Sequence, residues 1–63
     1  MSKPGDLETD IMNRLQLNKS GQTIEELSKH LKKPQSMIRA VLEVLRKENF
    51  VAFKDGVWTM VRQ

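Results

Sequence analysis

The spacing of apolar residues along this chain changes once, at Asn49, from the three-to-four-residue repeat of a helix to the two-residue alternation of a strand. Before that point Leu7, Ile11 and Leu15, with Met12 beside them, form one helical stripe. Ile24, Leu27 and Leu31 form a second, and Ile38, Val41, Leu42 and Leu45 form a third. After it, Val51-Ala52-Phe53-Lys54 and Val57-Trp58-Thr59-Met60 flank Asp55-Gly56, a dipeptide that accepts the positive φ values of a type I′ hairpin turn. Three helices followed by a hairpin define an α+β domain, expected to span residues 6–61 behind a flexible tail of residues 1–5.

The residues between the stripes say where each element starts and stops. Asp6 can cap the open amides of the first helix, which should end between Leu17 and Lys19 because Asn18, Ser20 and Gly21 make a turn cluster. Thr23 and Glu26 have capping-box spacing at the head of the second helix. Pro34 lacks an amide proton and drives Lys33 toward an extended backbone, so the chain should turn at Lys32-Lys33 and restart as a helix at Pro34 or Gln35. Asn49 tolerates a left-handed backbone and is the expected terminator of the third helix. With a two-residue turn, Phe53 falls opposite Trp58, and Val51, Phe53, Trp58 and Met60 share the face expected to close over the helices. Gln22 to Ile24 is a candidate short third strand.

A chain of 63 residues has room for one small core and little for a deep catalytic cleft. It has no cysteine, which removes disulfides and Cys-based zinc sites, and the lone His30 has no patterned partners for a metal. Nothing resembles a catalytic triad or a phosphate-cradling glycine loop, so neither an enzyme nor a cofactor is expected. No apolar run approaches the roughly 18 residues of a membrane span, and the start lacks a signal-peptide stretch, so a cytoplasmic protein without membrane contact is expected.

The charge is unevenly distributed. Residues 1–28 carry a net −2, whereas residues 29–48, with Lys29, Lys32, Lys33, Arg39, Arg46 and Lys47 against Glu43 and Glu48, carry a net +4. A contiguous basic third suits a polyanionic partner, although lysines and arginines also cover ordinary solvated faces.

The stretch Thr23 to Leu31 resembles the second helix of the winged helix-turn-helix superfamily, and Pro34 to Val51 resembles its recognition helix and the entry to its wing. Related bacterial repressors of the multiple-antibiotic-resistance type commonly have Gly where this chain has Asn49, followed by an apolar pair like Phe50-Val51. Locally, Pro34-Gln35-Ser36-Met37-Ile38 is also similar to the ferrous-iron-transport accessory family, whose clustered cysteines this chain lacks.

The superfamily resemblance implies a DNA-binding protein, a small transcriptional regulator that inserts its third helix into the major groove of double-stranded DNA. Gln35, Ser36 and Arg39 would then contact bases, with Lys32, Lys33, Arg46, Lys47 and Lys54 on the backbone. Glu43, one turn beyond Arg39, would repel phosphate unless it accepts from cytosine or organises Arg39. Met37 and Val44 widen the third stripe, either to enlarge the core or as a surface for a homodimer or protein partner. The alternative function is therefore a protein-interaction or assembly module that does not bind DNA. Trp58 reads as a hairpin core anchor rather than a stacking platform for single strands.

Overall fold

A computed structural model describes residues 6–61, in which α1 (Asp6–Leu17), α2 (Ile24–Leu31) and α3 (Gln35–Lys47) precede β1 (Val51–Lys54) and β2 (Val57–Met60). The expected tail of residues 1–5 and the capping side chain of Asp6 lie outside what is described.

Local chemistry accounts for each boundary. Asn18 closes α1 by donating both its amide and its side-chain Nδ2 to the Arg14 carbonyl, at 3.1 and 2.9 Å. At the head of α2 the capping box is complete: Thr23 Oγ1 accepts from the Glu26 amide at 3.1 Å, and Glu26 Oε1 accepts from the Thr23 amide at 3.0 Å. The same helix ends at Lys32, whose backbone is left-handed at φ 57°, ψ 45°. The Lys33 amide then returns to the Ser28 carbonyl at 3.3 Å, while Ser28 Oγ donates to the Lys33 carbonyl. Pro34 is extended at φ −60°, ψ 145° and stands as the N-cap, so α3 begins at Gln35.

The end of α3 is a Schellman motif. Asn49 has φ 67°, its amide donates to the Arg46 carbonyl at 3.0 Å, and the Phe50 amide reaches back to Leu45 at 2.9 Å. The expected role of Asn49 as a left-handed terminator is what the backbone shows. The turn at Asp55 (φ 53°) and Gly56 (φ 79°) sets the antiparallel register as Val51 with Met60, Ala52 with Thr59, Phe53 with Trp58 and Lys54 with Val57.

The candidate third strand contracts to one residue. Gln22 exchanges both backbone hydrogen bonds with Trp58, at 2.9 and 2.8 Å, but Thr23 is already the cap of α2 and Ile24 its first residue. A helix start cannot also be a strand.

Ile11, Leu15, Leu27, Ile38, Leu42, Leu45, Val51 and Trp58 form one buried cluster, with Leu7, Met12, Ile24, Leu31, Val41 and Met60 packed at its edge. Two core expectations fail. Phe53 shares a strand face with Val51 but remains 49% exposed, because it lies two residues nearer the hairpin tip, about 7 Å further from the helices. Its ring instead rests on Trp58, with centroids 4.7 Å apart and planes tilted by 48°. Met37 and Val44 are each 45% exposed, so neither completes the core.

Candidate nucleic-acid interface

All eight residues expected to meet DNA are exposed. At 100° per residue, the outer half of α3 resolves into three lengthwise stripes. Gln35, Arg39 and Arg46 occupy one flank. Ser36, Ala40, Glu43 and Lys47 run down the middle, and Met37 and Val44 form the opposite flank above the half-buried Val41. Ile38, Leu42 and Leu45, fully buried on the inner side, hold this arrangement in place.

Distance along α3 separates these residues into two groups. Gln35, Ser36 and Arg39 fall within about 6 Å of helix axis, whereas Lys47 lies about 18 Å from Gln35. The major groove is about 12 Å wide, so one end of α3 can address base edges while the other reaches only flanking backbone. Lys32 and Lys33 immediately precede the reading end, in the turn between α2 and α3.

Electrostatics favour an anion at that end. The first turn of α3 contains no acidic residue, and Pro34 supplies no side-chain cap, so the positive end of the helix dipole is unopposed locally. In α2 the equivalent position is neutralised by Glu25, Glu26 and the capping box. Glu43 engages Arg46, Oε1 to Nη2 at 3.7 Å, and not Arg39. The expectation that it organises Arg39 therefore gives way to an i,i+3 pair, and Arg39 has no ion-pair partner among the described residues. Both members of the pair are about half exposed, so it contributes little to stability, but it reduces the positive field of Arg46.

Lys54 ends β1 beside the Asp55-Gly56 turn, three residues from the buried Val51 and thus about 10 Å out along the strand. It is the basic residue of the hairpin tip. A cavity of about 410 Å³ opens elsewhere, between the end of α1 and β2, and its lining of Leu15, Gln16, Lys19, Thr59, Met60 and Val61 includes no residue of α3.

Three features of this region were not read from the sequence. Lys32 is left-handed at a position where Gly would be the unstrained choice, and the dipeptide Lys32-Lys33 gave no hint of which residue would turn. Ala40 stands exposed at the centre of the outer face, a place that apolar counting assigns to no stripe. Gly21, read only as a turn residue, has φ 92°, and a Cβ there would meet Val57 Cγ1 at 2.4 Å and the Trp58 carbonyl at 2.6 Å. It is the point where the loop before α2 presses onto the wing.

A three-helix domain with a closing hairpin, an exposed third helix and lysines at its entry is a winged helix-turn-helix domain. The chain belongs to the bacterial regulatory protein, arsR family, whose model matches residues 9–52. That match runs from α1 into β1 and stops short of Lys54 and the hairpin tip. The ferrous-iron-transport likeness of Pro34 to Ile38 finds no support beside it. No curated protein and no solved structure matches the chain. The family makes this a DNA-binding transcriptional regulator domain, and no helix among the described residues is long and apolar enough to cross a membrane.

Proposed function

We propose that the protein regulates transcription by seating the first two turns of α3 in the major groove of double-stranded DNA, with Gln35, Ser36 and Arg39 on base edges. The observation that carries this reading is the arrangement at the head of α3: exposed hydrogen-bonding side chains, an unopposed positive helix end and two lysines in the turn before it. Arg39 has the fork geometry for guanine O6 and N7, and Gln35 has the amide for adenine N6 and N7. Lys32, Lys33, Lys47 and Lys54 are backbone contacts. Arg46 joins them only when phosphate competes successfully with Glu43.

The left-handed Lys32 supports this assignment. A side chain with a Cβ costs about 1 kcal/mol or more in that conformation, and a lysine standing there, at the entry to α3, is consistent with a charge used at that place.

Selection from a randomised duplex library at two salt concentrations tests the proposal. Enriched sequences with salt-sensitive binding are expected, and the absence of both enrichment and salt-sensitive duplex binding sinks it. Arg39→Ala should relax preference at one base pair, at about 1–3 kcal/mol of discrimination, while circular dichroism of the variant stays unchanged.

Exposure of Met37 and Val44 also keeps a second reading in play, that a second copy or another protein covers this flank. Sedimentation over a range of concentrations tests for the second copy and a pull-down for another protein, and a strictly monomeric protein that recovers no partner but binds duplex tightly counts against this reading.

A further inference from the structure

Two apolar side chains stand among the polar readers of α3. Met37 is 45% exposed in the first turn, next to Ser36. Ala40 is exposed one turn on, three residues from Met37 and four from Ser36, so the three side chains adjoin on the outer face. Neither Met37 nor Ala40 offers a strong hydrogen bond to a base or a phosphate. In the major groove the one apolar group on a base edge is the C5 methyl of thymine.

We infer that Met37 and Ala40 are specificity-determining residues that pack against C5 methyl groups, so that the preferred duplex carries thymine beside the base pairs met by Gln35, Ser36 and Arg39. This rests on α3 entering the major groove as proposed above. Ala40 suits the position because a single methyl in the middle stripe lets the helix approach the base edges closely. Met37 suits it because an unbranched thioether chain adapts to the offset of one methyl from the next.

The surroundings select DNA over a protein as the occupant of Met37. Lys32 and Lys33 lie just before it, and no acidic residue occupies the first turn, a setting that attracts a polyanion. Val44 lies on the same flank but about 10 Å further along the axis, beside Glu43 and away from the reading end. The two exposed residues of this flank thus have different neighbours: Met37 stands at the reading end behind the two turn lysines, whereas Val44 stands at the far end between Glu43 and Lys47.

The test uses the duplex enriched by library selection, rebuilt with deoxyuridine at each thymine in turn, which deletes the methyl and keeps every hydrogen-bonding group. Wild-type protein should lose about fourfold in affinity at one or two positions, the worth of one buried methyl. Met37→Ala should bind thymine and deoxyuridine alike at one of those positions, with its salt dependence unchanged. Ala40→Ser should lose discrimination at a neighbouring one. Equal affinity for all deoxyuridine duplexes, while sequence selection persists, overturns the inference and leaves the proposed function standing. So does a Met37→Ala protein that keeps full thymine discrimination but changes its self-association. A protein that selects no duplex at all overturns the proposed function and the inference with it.

Discussion

Lys32, Asn49 and Asp55 are the three residues with side chains that the described backbone holds at positive φ, and the three have different prospects in a sequence. Asn49 and Asp55 are legible because their short polar side chains tolerate the left-handed region, and each stands where a terminator or a turn is needed. Lysine has no such preference, so the left-handed residue between α2 and α3 emerges only when both helices are docked. Lys32→Gly should therefore raise stability, by about 1 kcal/mol or roughly 4–8 °C in Tm for a domain of this size, while weakening duplex binding. The loss should appear as a salt slope shallower by about 0.9, the value for one phosphate contact. Calorimetry and binding isotherms at several salt concentrations check the two effects. Their opposite signs matter, because a binding loss cannot then be ascribed to unfolding. Unchanged binding would remove Lys32 from the interface.

At the level of elements, the hairpin was readable down to its register, since a two-residue type I′ turn leaves no freedom once its two residues are identified. Its burial was not. Alternation assigns Val51 and Phe53 to one face, but only the docking of β1 against α3 decides that Val51 is buried and Phe53 half in water. The hairpin is anchored from the other side by the Gln22–Trp58 bridge, and Gly21 makes that approach sterically feasible. Gly21→Ala combines a positive φ with contacts that force the wing away, and should lower stability by about 2–4 kcal/mol. Gly56→Ala, at a positive φ but with nothing within 4 Å of the added Cβ, should cost only the conformational part, about 1–2 kcal/mol. Chemical denaturation of both variants measures the difference. Equal losses would mean that the wing yields readily at Gly21.

For the whole molecule, a domain measuring 31 × 22 × 19 Å carries its acidic residues mainly in α1 and at the head of α2, and its basic residues from the end of α2 through α3. Charge asymmetry of this kind steers a duplex toward one side. With Lys32, Lys33, Lys47 and Lys54 on the backbone, log K against log salt should fall with a slope of about −3 to −4. A fluorescence titration across a fourfold range of salt gives that slope. A slope near −2 would mean that the hairpin and the end of α3 remain off the DNA, confining the interface to the two lysines of the α2–α3 turn.

Sequence by itself determined the element order, the capping box, the terminator at Asn49, the hairpin register and all eight residues of the buried cluster. These depend on local backbone preference and on the repeat of apolar residues, which act over a few residues and need no knowledge of the fold. The period change at Asn49 was enough to order them into three helices and a wing. Tertiary structure decided what distance in sequence conceals: that Met37, Val44 and Phe53 face water, that Gly21 meets the wing and that Lys32 bears the strained turn. Each of these depends on where one element ends against another, and a hydrophobic pattern carries the direction of a side chain without the extent of the surface that will cover it.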